Sequence, residues 1–162
     1  MNSQKKILTL HSLKKIIQKL RRQGNVIAFT NGCFDILHLG HVSYLEAAKK
    51  KNRILIVGLN GDRSIGKIKG NGRPIIGQKE RAAVLAALTC VDYVTIFNEP
   101  TPIKVIETLK PDVLVKGADW KGKHVVGADV VKSRGGRVEF IRYVKGLSTT
   151  QIIQKIIKTC PK

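Results

Sequence analysis

The chain has 162 residues, 43% of them hydrophobic, which suffices for one domain with a buried core and excludes a wholly disordered protein. No apolar run approaches the ~18 residues of a membrane-spanning helix, and the first residues lack the apolar segment of a signal peptide. The net charge of +19 predicts attraction to nucleic acid, anionic lipid or phosphorylated substrates, unless the basic clusters are only solvated faces. Three widely spaced cysteines form no disulfide framework and favour the cytoplasm.

Apolar spacing predicts helices and strands in alternation. An amphipathic helix within residues 1–24 comes first and is expected to pack on the domain formed by residues 25–162. The predicted strands are 26–30, 54–59, 93–97, 113–115 and 138–141, and later helices are predicted near 42–48, 78–88, 102–109, 128–133 and 152–157. This order predicts an α/β fold, a Rossmann-like doubly wound sheet of five parallel strands in a single domain.

Polar, basic or glycine-rich segments follow four of the predicted strands. They are residues 31–41, 60–77, 116–120 and 142–150. Because ligands of doubly wound sheets bind beyond the carboxyl ends of the strands, we expect these segments to form one site.

Two histidines, His38 and His41, stand three residues apart at the start of the helix after the first strand. On a helix this spacing puts both imidazoles on one face, and the free N–H groups of a helix start attract an anion. Gly40 leaves room for a ligand close to the backbone. A zinc pair is disfavoured, because catalytic zinc usually has three protein ligands and no third Cys or His stands nearby. The motif therefore predicts a phosphate site.

The segment after the second predicted strand nearly matches a P-loop. Residues 61–67 have the spacing G-x-x-x-x-G-K, but Ile68 replaces the Ser or Thr that holds magnesium, and glycines and a proline follow where a helix is required. We therefore predict a mobile basic loop in which Lys67, Lys69 and Arg73 close over phosphates. The alternative is a solvated loop whose lysines serve solubility.

Polar residues also follow the last two predicted strands. Ser148 and Gln151 match the capping box S-x-x-Q, which opens a helix and offers hydroxyl and N–H groups to a phosphate. Asp119 and Trp120 are either turn residues or contacts to a base or ribose. Cys33 has no evident activating base, which favours a packing role over a nucleophile.

These motifs together resemble the cytidylyltransferase-like family of nucleotidyltransferases. The family signature G-x-F-D-x-x-H-x-G-H appears as residues 32–41, and the late Ser-Thr-Thr motif as residues 148–150. Within the family the chain is most similar to the stand-alone adenylyltransferases that make ADP-heptose from D-glycero-β-D-manno-heptose 1-phosphate. The resemblance implies transfer of AMP from ATP to that sugar 1-phosphate, for lipopolysaccharide or surface-glycan precursors.

Other substrates remain open. Cys33 stands where cytidylyltransferases usually carry Thr, and residues 116–120 also resemble the glycerol-phosphate branch of the family. The alternatives are a CTP-dependent glycerol-phosphate or amino-alcohol-phosphate cytidylyltransferase, or an FAD synthase of the same fold. A non-enzymatic, basic nucleic-acid-binding protein is a third hypothesis, although only 5% of the residues are aromatic and no stacking platform is evident.

The resemblance also implies roles for individual residues. The catalytic residues are expected to be His38, His41 and Lys69. The nucleotide-binding residues are expected to be Thr30, Asn31, Gly32, Cys33, Phe34, Gly40, Lys116, Gly117, Asp119, Ser148, Thr149 and Thr150. Contacts to the acceptor or to phosphates are expected from Asp35, Lys67, Arg73, Arg81 and Arg142. Mg²⁺ is expected to enter with the ATP phosphates and without protein ligands. The protein is expected to be a cytoplasmic homodimer with no specific nucleic-acid partner and no membrane span.

Overall fold

The computed structural model describes residues 2–70, 72–142 and 146–160. Within these ranges the chain forms five strands and seven α-helices. The strands are β1 (Val26–Gly32), β2 (Arg53–Asn60), β3 (Tyr93–Phe97), β4 (Val113–Gly117) and β5 (Arg137–Ile141). The helices are α1 (Leu10–Arg22), α2 (Leu39–Ala48), α3 (Asp62–Lys69), α4 (Gln78–Ala87), α5 (Ile103–Leu109), α6 (Ala128–Lys132) and α7 (Thr149–Thr159). None of these helices is long and apolar enough to cross a membrane.

All five strands lie parallel in one sheet, in the order β3-β2-β1-β4-β5. The strand that comes first in sequence, β1, is therefore central, and its residues Ile27, Ala28 and Phe29 are fully buried because helices cover both faces. The strand order reverses between β1 and β4, so the loops leaving these two strands diverge and open a crevice at their carboxyl ends. The prediction of a doubly wound sheet of five parallel strands is confirmed.

Two apolar layers hold the helices against the sheet. On one face Tyr44 and Leu45 of α2 join Leu85 of α4. On the other face α1, α5 and α6 contribute a second cluster, in which Leu13 and Ile17 of α1 are 0% and 1% exposed. Burial of each such side chain stabilises the fold by about 1.5–3 kcal/mol, so α1 contributes to this apolar layer.

The segment after β2 differs from its prediction as a mobile loop. Residues Asp62–Lys69 form helix α3, and Ile65 on its inner face is 1% exposed. Its first turn exchanges hydrogen bonds with the first turn of α4: the Asp62 amide donates to Gln78 Oε1 at 2.9 Å, and the Gln78 amide donates to Asp62 Oδ2 at 3.1 Å. The helix ends at Gly70, whose φ is 86°. The later glycines and the proline lie beyond this end, so the loop prediction was wrong.

Helix α7 begins where its capping pattern predicts. The Gln151 amide donates to Ser148 Oγ at 3.2 Å, which caps the first turn. The Gln151 side chain accepts from the Ser148 hydroxyl at 3.3 Å, whereas a full capping box would use the Ser148 amide.

Candidate active site

Strand β1 ends in a tight turn that carries the signature residues into the crevice. Phe34 and Ile36 have φ values of 46° and 48°, a left-handed conformation that costs a non-glycine residue on the order of 1–2 kcal/mol. Phe34 is 7% exposed, and its ring centroid lies 5.2 Å from that of His41. A Cβ on Gly32 would lie 3.0 Å from Phe34 Cε2, so a glycine at position 32 lets the Phe34 ring fold back under the turn.

His38 and His41 stack on each other at the start of α2. Their ring centroids are 3.9 Å apart and their planes are inclined by 24°. His38 immediately precedes the helix, and His41 lies in its first turn. A Cβ on Gly40 would lie 3.1 Å from both Cε1 and Nδ1 of His38. Gly40 therefore makes room for the His38 ring, a role that differs from the ligand clearance predicted for it.

The surroundings of both imidazoles favour their uncharged form. Burial lowers the pKa of His38, while burial and then the neighbouring His38 lower the pKa of His41 to about 4. The Nδ1 atom of each ring is buried and has no hydrogen-bond partner among the described residues. A buried polar atom left unpaired costs about 1–3 kcal/mol. Two such atoms side by side at a helix start indicate a binding site for a polar ligand.

Asp35 braces the segment that follows α3. Its carboxylate accepts from the amides of Ile75 and Ile76 at 3.0 Å and from Arg73 Nη1 at 2.8 Å. Burial alone would raise the pKa of Asp35, but the two amides and Arg73 outweigh burial and lower it. The carboxylate is thus fully engaged within the protein, and the geometry gives it a positioning role. Its predicted contact with substrate stays a prediction.

Arg81 joins four segments behind the crevice. Its side chain is 1% exposed. Nε donates to the Ile76 carbonyl at 2.8 Å, and Nη1 donates to the carbonyls of Cys33 at 2.5 Å and Asn60 at 3.0 Å. Nη2 donates to Asp62 Oδ1 at 2.6 Å. Arg81 therefore holds the signature turn, the end of β2, the start of α3 and the 72–77 segment in register, although it was predicted to contact phosphate.

A buried cation crosses the crevice between β4 and β1. Lys116 Nζ donates to Asn31 Oδ1 at 2.5 Å and lies 5.6 Å from the centroid of the Trp120 ring. Lys116 is 8% exposed, and burial lowers its pKa to about 8 while Asp119 opposes the shift. It therefore stays mostly protonated at pH 7, at the point where the strand order reverses.

The start of α7 and the end of α3 reach the same turn. The Thr149 hydroxyl donates to the Asp35 carbonyl at 2.6 Å, which fixes the N-terminus of α7 beside the signature residues. Lys69 is exposed at the end of α3, and its positive charge is close enough to favour the thiolate form of Cys33. Burial raises the pKa of the Cys33 thiol, and the nearby cations only partly oppose it. The thiol is therefore a poor nucleophile, in agreement with a packing role.

The remaining predicted site residues include both buried and exposed ones. Thr30 is 1% exposed and hydrogen-bonds Tyr44 Oη at 2.8 Å, so its side chain lies in the core. Gly117 is buried at the end of β4. Exposed side chains near the carboxyl edge are those of Lys67, Asp119, Arg142 and Thr150.

The sequence analysis missed the exchange between Asp62 and Gln78. Each of these residues is the first of its helix, and Asp is common in a first turn because it favours the positive end of the helix dipole. That signal pointed to a helix start at residue 62, but the P-loop comparison obscured it. The hydrogen bond between Tyr44 and Thr30 left no sequence signal, because nothing in the apolar spacing of α2 identifies the partner of a single hydroxyl.

Comparison with known proteins decides the family. The model for the cytidylyltransferase-like family matches residues 29–155. The chain belongs to this family. The resemblance drawn from its motifs is confirmed, and at the level of the family so is its assignment as a nucleotidyltransferase.

Curated relatives within the family are longer than this chain. It is 54% identical to the bifunctional protein HldE of Geobacter metallireducens over 97% of this chain and 32% of that protein. It is 52% identical to HldE of Helicobacter pylori over 91% of this chain and 31% of that protein. The chain thus spans about a third of the length of these relatives.

A solved structure is similar as well. The lipopolysaccharide core biosynthesis protein of Thermoplasma volcanium matches 74% of this chain and 97% of its own length, with a TM-score of 0.58 and 30% sequence identity. This likeness supports the assignment of the fold and the family.

Proposed function

We propose that this chain transfers AMP from ATP to D-glycero-β-D-manno-heptose 1-phosphate, forming ADP-heptose and pyrophosphate for lipopolysaccharide or surface-glycan synthesis. The observation that carries the proposal is the stacked pair of His38 and His41, whose buried Nδ1 atoms lack partners among the described residues at a helix start that attracts anions. The 54% identity to an HldE protein and the likeness to a lipopolysaccharide core biosynthesis protein support this choice of substrates.

The proposed reaction is an in-line displacement at phosphorus. An oxygen of the sugar 1-phosphate attacks the α-phosphorus of ATP, the bond from that phosphorus to the bridging oxygen of the β-phosphate breaks, and pyrophosphate leaves. The nucleophile is already an anion, so no protein base is required and no covalent enzyme intermediate forms. Catalysis then depends on orientation and on stabilisation of the charge that develops.

The histidine pair supplies hydrogen-bond donors to the phosphates in this proposal. A neutral imidazole has one N–H donor and one acceptor nitrogen. Negative charge next to an imidazole favours its protonated form, so the arrival of a triphosphate raises the pKa of His41 from about 4. Lys116 adds a buried positive charge beside β1. Lys69, at the end of α3, adds a positive charge near Cys33 of the signature turn.

Mg²⁺ enters bound to the nucleotide in this proposal and supplies charge neutralisation for the phosphates. Among the described residues, no three side chains of His, Cys, Asp or Glu cluster so as to hold a metal ion. The carboxylate in the signature turn, Asp35, is already occupied by two amides and Arg73. Mg²⁺ characteristically keeps phosphate oxygens and waters as ligands, so the residues present fit a metal carried by ATP.

Pyrophosphate release tests the proposal. The protein is assayed with Mg²⁺, with either ATP or CTP, and with heptose 1-phosphate, glycerol 3-phosphate, phosphoethanolamine or FMN as acceptor. We expect release only with ATP and the heptose phosphate. Release with CTP and glycerol 3-phosphate, or with ATP and FMN, would keep the chemistry and overturn the substrate. No release with any pair, together with nucleic-acid binding that weakens steeply with salt, would favour the non-enzymatic alternative.

We also propose that the chain acts as a homodimer in the cytoplasm, where ATP is supplied. Apolar side chains on its surface support a dimer: Ile75 is 56% exposed and Val84 is 47% exposed, and Val84 lines a small cleft with Leu37 and Ile76. Sedimentation at micromolar concentration is expected to give a dimer, and Val84→Glu a monomer. A wild-type monomer under the same conditions would contradict the proposal.

A further inference from the structure

A second cavity lies on the sheet face opposite to α2, between α6 and the edge strand β5. Its volume is about 470 Å³, within the roughly 300–1,000 Å³ of small-molecule sites. Its lining comes from residues 123–140, and none of the lining residues belongs to the histidine site. The reaction proposed above assigns this cavity no role.

The lengths of the neighbouring elements create the cavity. Helix α6 has five residues and β5 also has five, so the helix spans about 7.5 Å while the strand spans about 17 Å and stays partly uncovered. Two glycines fix the helix close to its neighbours. A Cβ on Gly127 would lie 2.5 Å from Ile106 Cδ1, and a Cβ on Gly136 would lie 2.6 Å from Val131 Cγ1. The opening is thus set by the packing of α6 and not by a loose loop.

The lining carries more positive than negative charge. Lys123, Lys132 and Arg137 line the cavity with a single carboxylate, Asp129. None of these four side chains forms an ion pair within the described residues. The acidic residue of β5, Glu139, pairs instead with Arg53 at 2.9 Å. Unpaired cations around one cavity repel each other, and a bound anion would relieve that repulsion.

An aromatic ring completes the lining. Phe140 is 37% exposed and follows Val138 at the two-residue interval that puts both side chains on one face of β5. A planar ring beside several cations suits a base that stacks and a phosphate that pairs with Lys or Arg. Two rings, those of Phe140 and His124, line this one concave site. That number suits one nucleotide better than a strand, which needs a longer row of successive stacking residues. We propose that this cavity is a second ligand site, which binds a mononucleotide separately from the histidine site.

Amide chemical shifts of the ¹⁵N-labelled full chain, titrated with AMP, test the proposal. We expect saturable shifts within residues 123–140, resolved from any response of residues 31–41. Lys132→Glu combined with Arg137→Glu should weaken the response of 123–140 about tenfold or more, because two positive charges of the lining become negative and repel the phosphate. Lys14→Glu with Lys15→Glu, exposed on α1, is the control with the same change of charge.

Adenosine and inorganic phosphate, the two parts of AMP, are titrated separately to distinguish the role of the aromatic ring from that of the charges. Phe140→Ala should weaken the response to adenosine and leave that to inorganic phosphate unchanged, with folding of every variant checked by circular dichroism. The proposal is overturned if AMP shifts only residues 31–41, if the control pair weakens the response of 123–140 equally, or if an oligonucleotide binds there and AMP does not. Pyrophosphate release is measured separately, so failure here leaves the proposed reaction standing.

Discussion

Replacing Asp35 by Asn tests whether this carboxylate braces the crevice. Its three donors are the amides of Ile75 and Ile76, both at 3.0 Å, and Arg73 Nη1 at 2.8 Å. The asparagine side chain in the Asp35→Asn variant would keep the shape, but it has one acceptor oxygen and presents an NH₂ group where the carboxylate accepted a bond. At least one of the three donors then faces another donor.

The cost follows from these contacts. A hydrogen bond to a charged group contributes about 1.5–3 kcal/mol, and a neutral one about 0.5–1.5 kcal/mol. The Arg73 side chain is 22% exposed, so it can regain water, and its share is limited to about 1 kcal/mol. The sum predicts a loss of about 2–3 kcal/mol in the free energy of unfolding. A fall in kcat/KM should accompany it, because the 72–77 segment loses its anchor to the signature turn.

Chemical denaturation and pyrophosphate release measure the two effects, with Glu107→Gln, exposed on α5, as a control expected to stay within about 0.5 kcal/mol. Because the folded protein lowers the pKa of Asp35 below 3.8, its stabilisation is present above that pH and is lost as the pH falls through the lower folded pKa. The difference in free energy of unfolding between the wild type and the Asp35→Asn variant should therefore become smaller below about pH 4. A gap under about 0.5 kcal/mol at pH 7, or one that widens in acid, would refute the reasoning.

Three further outcomes are expected. His41→Ala should lower the rate of pyrophosphate release on the order of 10²-fold or more, with an unchanged melting temperature. The control is His11→Ala, at an exposed position on α1, which should leave the rate unchanged. Near wild-type turnover of the His41→Ala variant would remove His41 from the mechanism. Gly66→Ala should stabilise the protein by up to about 1 kcal/mol in denaturation, because position 66 is helical and a Cβ there meets nothing closer than a backbone oxygen at 3.9 Å; destabilisation would argue against helix α3. The KM for ATP should rise above about pH 8 as Lys116 loses its proton, and Lys116→Arg, which stays charged, should show a flatter profile; equal profiles would contradict a charged role.

The sheet was predictable because its strands are nearly continuous apolar runs. The 54–59 run lies within β2, and the predicted 93–97 strand matches β3. Once helices alternate with such strands, the handedness of the crossovers leaves few topologies. The site followed from the same reasoning, since residues 31–41 and 116–120 both come directly after strands, and β1 and β4 are neighbours in the sheet.

The contacts that the sequence did not predict depend on the directions of single side chains. The family resemblance implied that Arg81 contacts the acceptor or a phosphate, whereas its donors meet the backbone carbonyls of three separate segments. No residue pattern marks a carbonyl as an acceptor, because the backbone of every residue offers the same one. Helix α3 was missed for a different reason. Glycines and a proline follow it closely in sequence, but they lie beyond its end at Lys69.

The guanidinium of Arg81 also limits which changes the 72–77 segment can accept. Any graft of a different segment must return a carbonyl to the position of Ile76 O, 2.8 Å from Nε. The same planar group donates to Cys33 O at 2.5 Å, so a shift of the Ile76 carbonyl would also disturb the signature turn. A lysine at position 81 could not compensate, because its three donors lack the fixed fork. Libraries that vary residues 72–75 while keeping 76–81 should therefore yield more active variants than whole-segment exchanges.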